Sequence, residues 1–327
     1  RLDENGVTIE NEKNVADIFN SFFIQKVEKL RDRIDTTKQR DPFLPLKKKN
    51  ISSSFELRTV TEQEVMKKIR SLKSKPSSGE DGINARIIKE AAAVLVVPLT
   101  RIINTSIVSG RFPTMWKSAN IIPILKKGSP TKKENYRPVS LLPVASKIIE
   151  GIVHEQMATY FEKNGLLPEG QHGFRSGRST TSALMALYGK MMEFTKLGQN
   201  VALAAYDLSA AFDCLCPNII LQKLKLYGVG PTCLRWIESF LTNRQQSVNI
   251  GEAKSTPSQI PFGSPQGSVL LPLLFIIYTA DLQLWMEDSS ASSYCDDTSV
   301  VVAAESRQEA IAKLESRSGV VFEFMVS

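Results

Sequence analysis

The stretch Ser293 to Ala303 restricts this chain more than any other, because two strand-like runs meet there at an Asp-Asp pair. Tyr294 precedes Asp296 and Asp297, and Val300, Val301 and Val302 follow, so the expected order is strand, turn, strand. A second apolar run, Val201 to Tyr206, has strand character and ends on Asp207. Carboxylates at the ends of apolar strands lie near hydrophobic surface and need a compensating partner. Close carboxylates repel and raise one pKa, unless a divalent cation neutralises them. Mg²⁺ takes few protein carboxylates and leaves positions for phosphate oxygens and water. Two such ions, about 3.5–4 Å apart, clamp the attacking and leaving oxygens of a phosphoryl transfer. An Asp-Asp dipeptide alone is more often an ordinary turn.

The rest of the chain alternates helical patterns with short strands. Val15, Ile18, Phe19, Phe22, Val27 and Leu30 predict an amphipathic helix over 14–30. Pro42, Pro45 and Lys47-Lys48-Lys49 make 31–60 a linker or extended arm. Thr61 with Glu64 forms a capping box ahead of Val65, Ile69 and Leu72. A helix is expected over 83–109 with a bend at Pro98, then a strand from Ala119 to Leu125. Further helices are expected to Asn164-Gly165, over 179–197, from Pro217 and from Pro231. Gln246 to Ile250 and Gln259 to Phe262 read as strands, Ser268 to Trp285 as an apolar helical stretch, and 304–327 as a short helix with an apolar tail.

Composition excludes several classes. The 327 residues are 42% hydrophobic and 23% charged, which rules out collagen-like and wholly disordered chains. Four cysteines without a C-x-x-C pair make no disulfide framework, so a reducing compartment, nucleus or cytoplasm, is expected. The longest apolar run, Val269 to Tyr278, has Pro272 inside it and is too short to span a bilayer, so no membrane is expected. The chain begins on Arg1 with no apolar leader, from which no signal peptide and a longer parent chain are expected. Net charge is +7 but unevenly spread. Residues 111–140 hold seven basic residues and one acid, and 281–310 hold seven acids and one base. Such a division suits phosphate-backbone binding beside a carboxylate site, and solvated faces of opposite sign are the plainer alternative.

The motifs taken together resemble one family. Tyr294-Cys295-Asp296-Asp297 resembles the Y/F-x-D-D motif of reverse transcriptases, and Asp207-Leu208-Ser209-Ala210-Ala211-Phe212-Asp213 their first palm motif. Gly263-Ser264-Pro265-Gln266-Gly267-Ser268 is similar to the motif between them. Tyr136-Arg137-Pro138-Val139-Ser140 and Gln171-His172-Gly173-Phe174-Arg175 resemble two finger motifs, and Ser78-Gly79-Glu80-Asp81-Gly82-Ile83 a segment before the fingers. All stand in the family's order, in wording close to non-LTR, LINE-like retrotransposons of the jockey type.

The resemblance implies an α/β (α+β) right-hand polymerase fold: helical fingers and a palm with an antiparallel sheet. It implies a lead-in and linker at 1–60, fingers at 61–200, and a palm at 201–327 truncated after the Asp-Asp motif, with the thumb missing. The implied activity is RNA-directed DNA polymerisation, in which a primer 3′-OH attacks the α-phosphate of a dNTP and pyrophosphate leaves. The alternative is an inactive, partial retroelement remnant that only binds RNA or DNA. Implied partners are an RNA template, a DNA primer and dNTPs, within a longer polyprotein carrying an endonuclease. The implied cofactor is a pair of Mg²⁺ ions, for which Mn²⁺ can substitute.

Residue roles carry over by motif. Asp207 and Asp296 match direct metal ligands, and Asp297 a supporting carboxylate. Phe212 matches the ring that leaves no room for a 2′-OH, while Gln266 and Gly267 match residues facing the incoming nucleotide. Lys147, Arg175 and Arg137 match basic finger residues near the nucleotide or template, with a plain surface ion pair as the alternative for each. Lys126, Lys127, Lys132 and Lys133 are the candidate nucleic-acid contacts. Three departures from the pattern stand out: Ala210 for a common Lys, Leu271 for a usual Gly, and Cys295 for a usual Ala.

Overall fold

The computed structural model describes residues 1–4, 6–32, 41, 43–48, 51–207, 212, 214–260, 266–285 and 290–326. The chain opens with a small hairpin, β1 (Leu2–Glu4) and β2 (Val7–Ile9), too short to leave a pattern in the sequence. Helix α1 (Glu12–Arg31) starts where the Asn11 side chain accepts from the Asn14 amide. After α2 (Leu44–Lys47), the capping box of Thr61 and Glu64 starts α3 (Glu62–Ser71), which buries Val65 and Ile69 as its spacing requires.

Two helices occupy 83–109 in place of the single bent one: α4 (Ala85–Glu90) and α5 (Ala92–Ser109). The break falls at Ala91, and Pro98 lies inside α5. Val94, whose carbonyl Pro98 leaves without a helical donor, has a 77% exposed side, where the loss is tolerated. By length and composition α5 could cross a membrane, which corrects the expectation that no segment reaches that size. Counting unbroken apolar runs missed it, because Thr100, Arg101 and Asn104 interrupt the run. Here one side of α5 is core: Val96, Leu99, Ile103 and Ile107 are buried.

Next come β3 (Ser118–Leu125), β4 (Tyr136–Leu141), α6 (Val144–Lys163), α7 (Thr180–Lys196) and β5 (Asn200–Tyr206). Then follow α8 (Pro217–Leu226), α9 (Pro231–Leu241), β6 (Arg244–Ile250), β7 (Ala253–Lys254) and β8 (Ser258–Ile260). The apolar stretch to Trp285 divides into α10 (Leu271–Tyr278) and α11 (Leu282–Trp285). Between them sits Asp281, fully buried and ion-paired with Lys223. The chain ends with β9 (Ser290–Tyr294), β10 (Asp297–Ala304) and α12 (Arg307–Val326), the last longer than the short helix expected.

Two sheets organise these elements. One has the order β5-β10-β9, antiparallel throughout. The other has the order β4-β3-β6-β7, with β8 also on β6, and β3 runs parallel to β6. This second sheet crosses the boundary expected at residue 200, since β3 and β4 precede it and β6 to β8 follow. The lead-in is likewise built into that sheet: Val15, Phe19 and Phe23 of α1 share a small core with Ile121 and Val248. The main core lies among α3 to α6 and α8 to α10. A third, formed by Leu282, Val300, Val302 and Val321, lies between the three-stranded sheet and α12.

Candidate functional site

Strand register brings the three aspartates to one end of the β5-β10-β9 sheet. Tyr206 pairs with Thr298, so the residues next along the antiparallel pair are Asp207 and Asp297. Asp297 also pairs with Tyr294, which leaves Cys295 and Asp296 as a two-residue turn. Cys295 takes a φ of +61°, a left-handed value that residues with a Cβ rarely adopt. Asp207 and Asp297 are exposed and Asp296 is half-buried. Burial pushes the Asp296 carboxyl above its ordinary value, against a hydrogen bond to its own backbone, and the charges of Asp297 and Asp207 push it the same way.

Among the described residues none of the three pairs with a lysine or arginine, and no three His, Cys, Asp or Glu side chains form a ready metal cage. The donor chemistry nevertheless fits Mg²⁺, a hard ion that takes one or two carboxylates and completes its shell with phosphate and water. Like charges held together, one of them partly desolvated, form a site that a divalent cation would stabilise.

Phe212 is half-buried at the edge of the main core, its ring centroid 4.6 Å from that of Phe275 on α10 and 6.1 Å from that of Phe174. Gln266 and Gly267 dock on β4. The Ser140 amide donates to the Gln266 carbonyl at 2.9 Å, and a Cβ at Gly267 (φ +124°) would lie 2.7 Å from the Ser140 oxygen. Residues 208–211 and 213 of the first palm motif and 263–265 of the Pro-Gln-Gly motif lie outside the described residues, as does Phe262 of the expected strand.

One residue that holds this turn was not picked out from the sequence. Glu150, completely buried on α6, accepts from the Ser268 hydroxyl at 2.6 Å and from the Val269 amide at 2.7 Å, and also from Ser146. Its charge therefore sits at the start of α10, where unpaired amides and the helix dipole favour an anion. The available signal was a lone acid among Ile148, Ile149, Ile152 and Val153. Leu271, which stands where Gly is usual, is the first residue of α10 and is buried in the core.

The basic candidates divide. Arg175 is engaged: its guanidinium grips Glu162 through two bonds, at 2.8 and 2.6 Å, and donates to the Pro168 carbonyl at 2.6 Å. With its side chain 8% exposed, it braces the loop after α6 instead of reaching toward a nucleotide. Lys133 pairs with Glu4 and lies over the Phe22 ring, which ties the hairpin β1–β2 and α1 to the basic loop. Lys126, Lys127 and Lys132 are exposed on that loop, between β3 and β4, and have no ion pair among the described residues. Arg137 is exposed on β4. Lys147 is half-buried on α6, where burial lowers its pKa, Glu150 opposes this and Lys75 adds to it. The acidic stretch is not a single face either, because Asp281 is internal.

Residues 124–322 match the family model of reverse transcriptase (RNA-dependent DNA polymerase), and the chain belongs to this family. It is similar to proteins of mobile elements. It is 32% identical over 271 residues to the RNA-directed DNA polymerase from mobile element jockey of Drosophila melanogaster, covering 80% of this chain and 29% of that protein. It is 29% identical over 294 residues to the probable RNA-directed DNA polymerase from transposon BS of the same organism, covering 86% of this chain and 32% of that protein. A third relative, the putative 115 kDa protein in type-1 retrotransposable element R1DM, is 31% identical over 244 residues, 72% of this chain and 23% of that protein. The chain thus spans a third or less of the length of these relatives.

Proposed function

We propose that this chain is the RNA-directed DNA polymerase domain of a jockey-like non-LTR retrotransposon, with its chemistry at Asp207, Asp296 and Asp297. The observation that carries this reading is the β5-β10-β9 register, which sets these carboxylates at one sheet end. In this reading the three-stranded sheet with α12 is the palm, and the sheet of β3, β4 and β6 to β8 belongs to the fingers, so the chain returns to the fingers between β5 and β9. Asp207 and Asp296 would hold Mg²⁺, and Asp297 would orient them. Bound there, the ions would supply charge stabilisation for attacking and leaving oxygens. Phe212 would lie against the sugar of the incoming nucleotide, and the Gln266-Gly267 turn, braced by Ser140 and Glu150, would offer backbone that a base pair can approach closely. Lys126, Lys127 and Lys132 would contact phosphates.

Primer extension tests this reading. The purified chain, given an RNA template, an annealed DNA primer, dNTPs and Mg²⁺, is expected to extend the primer, and with rNTPs to extend it poorly. Tight template binding without any extension would favour an inactive remnant.

A further inference from the structure

We infer that Gln171 is a positioning residue for the aspartate turn, an inference that rests on reading Asp296 and Asp207 as metal ligands. The turn has an internal difficulty. Cys295, immediately before Asp296, carries a Cβ yet has φ +61°. Local sequence does not favour that conformation, so neighbours must hold it. The Gln171 side chain reaches both backbone groups of this one residue. Its Oε1 accepts from the Cys295 amide at 3.2 Å, and its Nε2 donates to the Cys295 carbonyl at 3.3 Å. A third bond, from the Gly173 amide to Oε1 at 2.8 Å, fixes which end of the amide faces which partner. Gln171 is 4% exposed, so water does not compete for these bonds.

The backbone around Gln171 is anchored to the same hairpin. Gln171 bridges to Ser293 on β9, with the His172 amide donating to the Ser293 carbonyl at 2.8 Å and the Ser293 amide to the Gly170 carbonyl at 2.7 Å. Gly170 and Gly173 permit this approach, since a Cβ on either would collide with the backbone of Ala291 or of Cys295. Segment 170–173 is therefore an extra edge on β9, and its one long side chain closes over the turn. The peptide plane leaving Cys295 sets where Asp296 begins. Releasing Gln171 frees that plane and lets the Asp296 carboxylate drift from Asp207, while both carboxylates stay chemically intact. Groups that orient metal ligands without touching the metal commonly change affinity about 10- to 100-fold when removed.

The test is Mn²⁺ binding to the full chain without nucleic acid, followed by electron paramagnetic resonance, with thermal melting of each variant. Gln171→Met keeps the side chain's length and removes all three bonds. Tyr160→Phe removes hydrogen bonds to Ser53 and Tyr227 elsewhere and controls for general loosening. Gln171→Met is expected to weaken Mn²⁺ binding about tenfold or more, with Tyr160→Phe unchanged at a similar loss of melting temperature. If Gln171→Met does not fold, Gln171→Glu, which keeps the acceptor and loses the donor to Cys295, is read in its place by the same criterion. Wild-type affinity in the Gln171 variant, or an equal loss in Tyr160→Phe, overturns the inference. Asp296→Asn separates the two levels. If it loses Mn²⁺ while the Gln171 variant does not, only the role of Gln171 falls. If it binds Mn²⁺ as wild type does, the metal reading falls and takes this inference with it.

Discussion

Phe212 stands five residues after Asp207, and its ring is held from two sides, by Phe275 and by Phe174. In the proposed reading the nucleotide sugar rests against this ring, and forcing extra atoms into a packed site costs about 1–3 kcal/mol, roughly ten- to a hundredfold in rate. Phe212→Val is therefore expected to raise the use of CTP relative to dCTP by that factor, read as the ratio of catalytic efficiencies. An unmoved ratio would make Phe212 a core residue only. The same packing implies a stability loss that is part of the about 3–5 kcal/mol for deleting a buried Phe, so melting should be followed alongside. At this scale the sequence was informative where chemistry is local. The convergence of the aspartates was legible from two strand-like runs that end on them, while Phe212 and the Gln266-Gly267 pair were picked out by motif alone. Gln171 was legible only as part of a finger motif and Glu150 only as a lone acid, because Cys295 and Ser268, the partners that give them their place here, lie more than a hundred residues away. Arg175 and Lys133 look like available cations in the sequence and are bound to Glu162 and Glu4 in the fold.

Helix ends carry two further expectations. Glu150 places a buried carboxylate on the Ser268 hydroxyl and the Val269 amide, just ahead of α10. Glu150→Ala should cost about 1–3 kcal/mol through the donors it strands, and should raise KM for dNTPs more than it lowers kcat if the Gln266 turn shifts. A uniform loss of active protein with KM unchanged would speak for stability alone. At the start of α3, the Arg58 guanidinium, followed by the Thr61 amide, holds the Glu64 carboxyl down from 4.5 to about 2. A depressed folded pKa means the stabilisation is present in full above 4.5 and is lost as pH falls through about 2. Glu64→Gln should then lower stability by about 1 kcal/mol at neutral pH, a modest figure because the pair with Arg58 is largely solvated. The gap to wild type should narrow in denaturation curves below pH 4.5. Caps and apolar spacing are also why α3, α6, α8 and α9 were readable from sequence. The β1–β2 hairpin was not, since three-residue strands carry no periodicity, and neither was the parallel pairing of β3 with β6.

Across the molecule, the site depends on segments far apart in the chain meeting at two sheets. One buried ion pair ties two helical segments together: Lys223 on α8 lies 2.7 Å from Asp281, between α10 and α11, with side chains 3% and 0% exposed. Burial pushes the lysine down and the aspartate up, and their mutual attraction opposes both. Lys223→Met alone should destabilise by about 3–5 kcal/mol, because a buried carboxylate is left without its cation. Lys223→Met with Asp281→Leu should recover most of that loss in urea denaturation. The central claim, that the sheet end bearing Asp207 and Asp296 is where nucleotides are joined, is tested most directly by primer extension with Asp207→Asn and Asp296→Asn beside template binding. Both variants are expected to bind primer–template as wild type does and to extend it at least a thousandfold more slowly, roughly 4 kcal/mol of transition-state stabilisation. Extension at the wild-type rate by either variant would contradict the account.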